Sequence, residues 1–257
     1  MNRNTATTNQ PVKRTIAKYN SAMITYLNKN YGRVGTDYLY RIVYKGFTPP
    51  NTAAVRFIQI PLDKTGNRII KRAFDIALSL IVIAGVLSWL IPVMTALIKA
   101  TSRGPVFFLQ KRNKKDGVVF TCIKFRSMQV NAMADILPAA ENDTRITPVG
   151  RFIRKTFIDE LPQFFNVLWG DMSVIGPRPH MLSEGIQFEE AIHYYNYREK
   201  VKPGITGLAQ IMGLEGAANS IEKMKDRIDV DIFYLRHWTL KLDVVILYRT
   251  ICKMTGI

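Results

Sequence analysis

Cysteine and histidine are scarce in this chain of 257 residues, which holds two cysteines and three histidines. Cys122 and Cys252 lie far apart and lack the spacing of metal ligands, so they are interpreted as reduced packing residues of a cytosolic protein. The histidines, His180, His193 and His237, form neither an HxH nor an HxxxH pattern. A zinc site is therefore not expected.

Acidic residues are also few: 20 Asp and Glu stand against 36 Lys and Arg, which gives a formal net charge of +16. Such an excess of positive charge predicts an anionic partner, which could be nucleic acid, an anionic membrane surface or a phosphorylated substrate. The chain has no nucleic-acid recognition motif, no dinucleotide-binding GxGxxG pattern and no GxxxxGK loop. Nucleic acid is therefore the least favoured of the three partners.

The first part of the chain carries no recognisable chemistry. Residues 1–11 are polar and lack the apolar stretch of a signal peptide, and residues 1–12 are predicted to be disordered. We interpret residues 1–70 as a short, partly disordered N-terminal extension. A membrane segment is predicted at 71–103, followed by the main domain at 104–257.

A run of 23 residues, 76–98, contains no charged side chain, and a run of about 18 or more is a transmembrane candidate. Pro92 lies inside this run and predicts a broken or kinked helix. Both flanks are basic and would keep both ends cytoplasmic, through Lys71, Arg72, Lys99 and Arg103. A helix that is broken at Pro92 and re-enters one leaflet fits both observations, with a spanning helix and a buried core helix as alternatives. Asp75 is expected to pair with Lys71 and Arg72.

Two adjacent carboxylates, Asp159 and Glu160, precede Pro162 and an apolar stretch that reaches Gly170. Proline is favoured in the first turn of a helix, so the pattern predicts a short helix that stops at Gly170. The acidic pair would then stand at the helix N-terminus, where free N–H groups favour negative charge. Its basic surroundings favour a site for anionic phosphates and a divalent metal, although a simple helix cap is the alternative.

Four cations are candidate ligands for substrate phosphates. Arg154 lies just before the acidic pair, and Arg178 stands between two prolines that would hold its guanidinium in place. Lys124 and Arg126 alternate with apolar residues after a predicted hairpin, whose turn ends at residues 116–117. The structural alternatives are a solvated edge strand for Lys124 and Arg126 and a rigid turn with an exposed arginine for Arg178.

Three further helices are predicted toward the C-terminus. Residues 183–200 predict a helix whose inward-facing residues are Ile186, Ala191, Ile192 and Tyr195. Asn219 is expected to cap a second helix, and three of its residues share one face, namely Arg227, Asp231 and Tyr234. These three could line a site, but a structural ion pair is favoured. A last apolar helix at 244–254 suits an interfacial position.

Several motifs occur in a specific order along the chain. They are Lys71-Arg72-Ala73-Phe74-Asp75, Ser102-Arg103-Gly104-Pro105-Val106-Phe107-Phe108, Lys124-Phe125-Arg126-Ser127-Met128, Asp159-Glu160-Leu161-Pro162-Gln163, Gly176-Pro177-Arg178-Pro179 and Lys202-Pro203-Gly204-Ile205-Thr206-Gly207. Together they resemble the bacterial sugar transferase family, the monotopic phosphoglycosyl transferases, over roughly residues 70–257. The resemblance is strongest to the polyprenyl-phosphate hexose-1-phosphate transferases that start exopolysaccharide or O-antigen assembly.

The resemblance implies a mixed, mostly helical α/β catalytic domain that is associated with a membrane. It implies one N-terminal re-entrant membrane helix broken at Pro92, together with amphipathic interfacial helices. The implied reaction transfers sugar-1-phosphate from a UDP-sugar to undecaprenyl phosphate and releases UMP, as the first membrane step of exopolysaccharide, capsule or O-antigen synthesis. The implied location is the bacterial inner membrane, with a monotopic chain whose active site lies on the cytoplasmic face.

The resemblance also implies roles for single residues. Asp159 matches the family's nucleophile, which attacks the β-phosphorus and forms an aspartyl phosphosugar. Glu160 would bind Mg²⁺ or assist deprotonation of the lipid phosphate, and Mg²⁺ held at Asp159 and Glu160 is the expected cofactor. The family's phosphate-binding cations match Lys124, Arg154 and Arg178.

One departure concerns residues 214–219, where many hexose-specific relatives carry an Arg-Gly pair and this chain has Glu215. The sugar is therefore left open among glucose, galactose and N-acetylated sugars. The expected partners are a UDP-sugar, undecaprenyl phosphate and anionic lipids, without nucleic acid; downstream glycosyltransferases and a homodimer are left open. The alternative function is a non-catalytic membrane scaffold of the same fold that recruits glycosyltransferases.

Overall fold

The computed structural model of the chain describes residues 59–131, 143–216 and 220–255. All of them belong to one unit that begins at Pro50. The predictions made for residues 1–58 and the predicted helix cap at Asn219 lie outside the described residues.

Helices account for most of the regular structure in the described ranges, and short strands account for the rest. The helices are α1 (Thr65–Val82), α2 (Ser88–Thr101), α3 (Pro148–Lys155), α4 (Gln163–Trp169), α5 (Leu182–Ala191), α6 (Leu208–Ile211), α7 (Ile221–His237) and α8 (Leu240–Thr255). The strands are β1 (Phe107–Asn113), β2 (Val119–Phe125), β3 (Ser173–Ile175) and β4 (Gly204–Thr206). The predicted mixed, mostly helical α/β class is confirmed.

Strands β1 and β2 form the antiparallel hairpin that the sequence predicts, with Phe107 opposite Phe125 and Asn113 opposite Val119. Its turn contains Asp116, with a φ of 60°, followed by a glycine with a φ of 72°. Strands β3 and β4 form a separate parallel pair. The carboxyl end of β2 leads toward the basic motif, and the carboxyl end of β3 leads toward the Pro-flanked Arg178.

Helices α1 and α2 are joined by a π-helical turn, Ile83–Leu87, so that Thr65–Thr101 forms one helix of 37 residues. We call this helix the apolar rod. Its length and composition suffice to cross a membrane, and only 17% of its most apolar window is buried inside the protein. Exposed apolar side chains on the rod include Leu80, Ile81, Trp89 and Val93.

The predicted break at Pro92 is not found, because α2 continues through Pro92 without interruption. The departure from α-helical geometry lies earlier, at the π turn, where the Ser88 N–H donates to the carbonyl of Ile83. Proline crowds the carbonyl four residues before it, which here belongs to Ser88. The wider π turn immediately before that residue can accommodate the crowding. The Ser88 hydroxyl donates to the Ala84 carbonyl at 2.7 Å.

Polar side chains of α1 attach the rod to the rest of the described unit. Lys71 forms a buried ion pair with Asp243 of α8, with 2.8 Å between Nζ and Oδ2. The predicted pairing of Asp75 with neighbouring cations is wrong: its carboxylate accepts hydrogen bonds from the Ser173 hydroxyl and the Val174 N–H, both at 2.9 Å. The partners of Asp75 are thus donors from β3 and not its neighbours in the sequence. The helical pattern of α1 cannot reveal such partners.

The predicted helix over residues 183–200 is only partly correct. Helix α5 ends at Ala191, and residues 195–200 form a 3₁₀ helix. Ile192 and Tyr195 are buried as predicted, but Ala191 is exposed. Ile186 is 67% exposed, and Phe188 is buried in its place. Residues two positions apart lie on different faces of a helix. Because Phe188 faces the core, Ile186 points away from it.

Helix α7 passes through the core beside α5. Ser220 is its N-cap, and its side chain accepts a hydrogen bond from the N–H of Lys223. A hydrophobic cluster joins residues from both helices and the segment that follows α5, namely Phe188, Ile192, Tyr195, Met224, Ile228 and Ile232. This packing fixes the polar face of α7, which carries Arg227 and Asp231, toward the interior of the described unit.

Candidate active site

The acidic pair lies in a short 3₁₀ turn, Ile158–Glu160, directly before α4. The predicted helix end is confirmed, because α4 stops at Gly170, whose φ is 93°. Phe157 precedes the turn with a φ of 57°, a left-handed conformation that costs a non-glycine residue on the order of 1–3 kcal/mol and is found mostly at functional sites. The backbone is thus strained at the residue that introduces the carboxylates.

Glu160 is held by two of the predicted cations. Lys124, near the end of β2, places Nζ 2.7 Å from Oε1 of Glu160. Arg178 donates from both terminal nitrogens, at 2.6 Å to Oε1 and 3.1 Å to Oε2. Burial acts to raise the pKa of Glu160, but the charges of Arg178 and Lys124 outweigh it and hold the pKa well below its usual range. Glu160 is therefore ionised, and its negative charge is compensated by the two cations.

Asp159 has different surroundings from those of Glu160. Its side chain is buried, at 7% exposure, and no donor among the described residues hydrogen-bonds its carboxylate. Burial raises its pKa to about 6; Lys124 opposes this shift, and the charge of Glu160 reinforces it. At neutral pH the Asp159 carboxylate is mostly ionised and available for a reaction or a ligand.

A cavity of about 590 Å³ lies over the acidic pair. Three of the predicted phosphate ligands line it together with the pair, namely Lys124, Arg154 and Arg178. Arg154 comes from α3 and donates to the Ser127 hydroxyl at 3.4 Å. Strands β1 and β2 contribute an apolar wall that includes Phe107, Phe108, Leu109 and Phe125. The cavity thus joins a polar, mostly cationic floor to an apolar side.

Arg126 also borders the cavity, and its contact with a phosphate stays a prediction. Its guanidinium donates to three backbone carbonyls, those of Pro105 at 2.5 Å, Arg103 at 3.0 Å and Ser102 at 3.0 Å. Arg126 is only 5% exposed. It fastens the segment that leaves the apolar rod to the end of β2. The alternation of charged and apolar residues could not distinguish this use from a phosphate contact.

Glu215, the departure from the family pattern, lines the same cavity. Its carboxylate forms an ion pair with Lys253 of α8. Arg227 lines the cavity too, yet its guanidinium donates to the carbonyls of Leu214 and Gly216, both at 2.7 Å. Arg227 therefore supports the chain segment that carries Glu215.

Both interpretations of the α7 polar face hold in part, because Arg227 lines the cavity whereas Asp231 and Tyr234 make structural contacts. Asp231 forms a buried ion pair with Arg198, at 2.8 Å, and the Tyr234 hydroxyl donates to Asp243 at 2.8 Å. Sequence reasoning missed Arg198 altogether. It lies 20 residues after Arg178, in a stretch dominated by aromatic side chains, and no motif marks it.

The side chains near the acidic pair fit a magnesium ion in one particular mode. No group of three or more His, Cys, Asp or Glu side chains is suitably placed among the residues in the described ranges. Mg²⁺ commonly takes only one or two protein carboxylates and completes its shell with substrate phosphates and water. Both oxygens of Glu160 already accept from cations, so Asp159 is the more accessible protein ligand.

Comparison with known proteins agrees with the family that the ordered motifs resemble. The model of the bacterial sugar transferase family matches residues 66–256. A UDP-glucose:undecaprenyl-phosphate glucose-1-phosphate transferase of Klebsiella pneumoniae is 47% identical over 188 residues, which cover 73% of this chain and 40% of that protein. A UDP-N-acetylgalactosamine-undecaprenyl-phosphate N-acetylgalactosaminephosphotransferase of Aeromonas hydrophila is 45% identical over 183 residues, covering 71% of this chain and 43% of that protein.

A shorter relative matches over nearly its whole length. The exopolysaccharide production protein PSS of Rhizobium leguminosarum bv. phaseoli is 39% identical over 188 residues, covering 71% of this chain and 94% of that protein. The chain therefore matches less than half of the larger relatives and almost all of the shorter one. The family model spans residues 66–256, the part of the chain that contains nearly all of the apolar rod and the residues lining the cavity.

Proposed function

Since this chain belongs to the bacterial sugar transferase family, we propose that it transfers sugar-1-phosphate from a UDP-sugar to undecaprenyl phosphate. The products are undecaprenyl-diphosphate-sugar and UMP. The observation that carries the proposal is the contrast within the acidic pair. Both carboxylates line the cavity, but only that of Glu160 is paired with two cations. A reactive carboxylate among cations is suited to chemistry on a diphosphate.

Asp159 is the nucleophile of the proposed mechanism. A carboxylate oxygen forms a bond to the β-phosphorus of the UDP-sugar, the bond from that phosphorus to the oxygen bridging the two phosphates breaks, and UMP leaves. A phosphate oxygen of undecaprenyl phosphate then attacks the aspartyl phosphosugar, and the Asp159 carboxylate is released. Covalent catalysis divides the transfer into two steps, so a single cavity can serve a water-soluble donor and a lipid acceptor in turn.

The cations of the cavity offset the repulsion between a carboxylate and a diphosphate. That repulsion amounts to several kcal/mol at close range, on the order of 4 kcal/mol for two unit charges 4 Å apart near a protein surface. Lys124, Arg154 and Arg178 border the cavity beside Asp159, and preorganised cations stabilise charge without reorganising during the reaction. Each of the three is proposed to bind a substrate phosphate.

Glu160 is proposed to orient Lys124 and Arg178. Its carboxylate accepts hydrogen bonds from both cations, and its pKa lies well below the usual range. A strongly ionised carboxylate is a weak base, so this geometry favours an orienting role over deprotonation of the lipid phosphate. Asp159, with Glu160 beside it, would hold Mg²⁺, whose chemistry there is to neutralise the charge of the diphosphate.

We place the active site at the cytoplasmic face of the inner membrane, with both ends of the apolar rod on that side. A straight helix of 37 residues would be about 55 Å long. Yet Lys71 near one end pairs with Asp243, and Arg126 binds the Ser102 carbonyl beyond the other end. Both contacts are made by the same unit, which cannot occupy both sides of a hydrocarbon core about 30 Å thick. These contacts argue against a spanning rod and support the proposal that both of its ends lie on one side of the membrane.

Helix α8 supports the interfacial placement. Its exposed apolar residues recur at helical spacing, at Val244, Tyr248 and Ile251, while Leu242 and Ile246 are buried. Such an exposed stripe suits contact with the apolar part of a membrane surface. Together with the apolar rod, it would bring the cavity close to a lipid-anchored acceptor.

The transferred sugar is left open among the alternatives named above. Two of the relatives, with 47% and 45% identity, carry names that specify glucose and N-acetylgalactosamine respectively. We propose that the chain catalyses the first membrane step of exopolysaccharide, capsule or O-antigen synthesis. Mg²⁺, the re-entrant arrangement and the aspartyl intermediate are parts of the same proposal.

The proposal is tested by UMP release from membranes that contain the protein, incubated with undecaprenyl phosphate, Mg²⁺ and a panel of UDP-sugars. We expect one or more donors to yield UMP, and Asp159→Asn to abolish the release. Asp171→Asn is the matched control, because Asp171 is a partly exposed carboxylate that pairs with Lys114 and does not line the cavity. Turnover unchanged in Asp159→Asn would refute the nucleophile, and no turnover with any donor would favour the scaffold alternative.

A further inference from the structure

The segment that carries Arg178 is held by its backbone carbonyls as well as by its prolines. The Pro177 carbonyl accepts a hydrogen bond from the Gly204 N–H at 2.9 Å. The Arg178 carbonyl accepts from Nη2 of Arg198 at 2.5 Å, and the Pro179 carbonyl accepts from Nη1 of Arg112. Three consecutive carbonyls therefore each have a fixed donor. The middle one belongs to Arg178, whose guanidinium binds Glu160.

Arg198 is the donor with the most extensive support. It is 4% exposed, and its Nε and Nη2 lie 2.9 Å and 2.8 Å from Oδ2 of Asp231. Its Nη1 lies 2.7 Å from Nδ1 of His180. All three nitrogens are thus used, and the ion pair with Asp231 compensates for burying the charge.

His180, two residues after Arg178, also accepts a hydrogen bond from Arg198. A guanidinium can only donate, so Nδ1 of His180 accepts from Arg198, and the ring is neutral. Burial and the charge of Arg198 lower the pKa of His180 well below its usual value. The Tyr195 hydroxyl contacts the same ring nitrogen at 2.6 Å. Arg198 therefore binds two residues of one segment, Arg178 through its carbonyl and His180 through its ring.

We infer that Arg198 is a positioning residue for Arg178, and that Asp231 fixes Arg198 in the required orientation. The inference rests on the proposed function, because it assigns Arg198 to the phosphate-binding floor of that site. Arg198 does not line the large cavity, so it acts through Arg178 and not on a substrate. A lysine could not replace it, since a single ammonium cannot reach partners in three directions.

A double-mutant cycle separates positioning from a general effect on folding. Arg198→Lys and Arg178→Ala are made singly and together, and kcat/KM for the UDP-sugar is measured by UMP release. In the otherwise wild-type protein, Arg198→Lys should lower kcat/KM by about 10- to 100-fold, the range expected when a catalytic group is misplaced by about 1 Å. In the Arg178→Ala protein the same change should cost less than about twofold, because the residue to be positioned is gone.

Asp231→Asn provides a second, isosteric variant, for which the cycle with Arg178→Ala should show the same non-additivity. Asp229→Asn is the matched control on the same helix. Asp229 accepts from the Tyr194 hydroxyl at 2.8 Å and, among the described residues, makes no hydrogen bond or ion pair with the Arg178 segment. The effect of Asp229→Asn on kcat/KM should therefore multiply with that of Arg178→Ala. Thermal unfolding of each variant identifies any that lose the fold.

The outcomes distinguish this inference from the proposed function. Multiplicative losses for Arg198→Lys and Arg178→Ala, with a folded protein, would show that Arg198 is merely structural and would overturn the inference. If the wild-type protein binds UDP but releases no UMP from any donor, the proposed function fails. The cycle is then read from UDP affinity, where non-additivity supports the positioning role and additivity overturns it.

Discussion

Asp159 and Glu160 are neighbours in the chain, but their surroundings give them different chemistry. Glu160 binds Lys124 and Arg178 through both oxygens. Asp159 is buried beside them with a raised pKa. The difference is set by Lys124 of β2, 35 residues before Asp159, and by Arg178 after β3, 19 residues after it. A single residue pair thus combines a carboxylate whose charge is compensated by two cations with one that is buried and has a raised pKa.

The raised pKa of Asp159 predicts a gain in stability when its charge is removed. An acid whose pKa is higher in the folded state lowers stability as the pH rises above its unfolded pKa, and the cost is complete once the pH exceeds its folded pKa. From 3.8 to about 6, the effect is on the order of 3 kcal/mol at most. Asp159→Asn should therefore raise the free energy of unfolding at pH 8, and the gain should disappear as the pH falls from 6 toward 4.

The measurement is denaturant or thermal unfolding of both proteins across that pH range. Asp171→Asn, at a partly exposed ion pair, should show no comparable pH-dependent gain. A loss of stability in Asp159→Asn at pH 8 would mean that the carboxylate is stabilised by the cations more than it is penalised by burial.

At the scale of elements, the contact between α3 and the basic motif sets the position of Arg154. Thr147 caps α3 by accepting from the Gly150 N–H, and a side chain on Gly150 would place its Cβ only 1.8 Å from the carbonyl oxygen of Ser127. Such a distance is impossible without moving one of the two segments. Gly150 is thus required because the backbones of two elements meet there.

Gly150→Ala is expected to displace α3 and to lower both stability and turnover. The loss of stability should be on the order of 1–3 kcal/mol, the usual cost of overpacking a tight contact, and kcat/KM should fall through misplacement of Arg154. Unfolding and UMP-release assays check both effects. Gly66→Ala is the matched control, because nothing lies within 4 Å of the added Cβ; a Gly150→Ala protein as active as this control would contradict the account.

The apolar rod gives a prediction about topology. Cysteines introduced at Ile70 and Arg103, in a protein whose own two cysteines are replaced, should both react with a membrane-impermeant reagent applied from the cytoplasmic side. The reason is that both ends of the rod bind the same unit, through Lys71 and through the carbonyls held by Arg126. Labelling from opposite sides would exclude the re-entrant arrangement and establish a spanning helix.

Local patterns predicted elements well and partners poorly. The β1–β2 hairpin and the stop at Gly170 follow from turn residues that act within a few positions. The break at Pro92 was wrong because an upstream π turn accommodates the proline. Asp75 was misassigned because its partners are donors of a distant strand. The backbone partners of Arg126 were not predicted either, since periodicity reveals neither kind of contact.

At the scale of the whole molecule, the excess positive charge and the order of the motifs both relate to the cavity. The net charge of +16 predicts an anionic partner, and the cavity concentrates part of that charge beside a carboxylate. The ordered motifs identified the family, and the fold explains their order by bringing Lys124, Arg154 and Arg178 to one floor. Arg198 could not be identified in this way, since its role depends on a contact between chain segments.

The most direct test of the central claim is to look for the covalent intermediate. The protein is incubated with a productive UDP-sugar and Mg²⁺ in the absence of undecaprenyl phosphate, and its peptides are analysed by mass spectrometry. We predict a phosphosugar adduct on the peptide that contains Asp159, formed together with one equivalent of UMP, absent from Asp159→Asn and lost when undecaprenyl phosphate is added. UMP release that requires the lipid acceptor from the outset, without any adduct, would contradict Asp159 as the nucleophile.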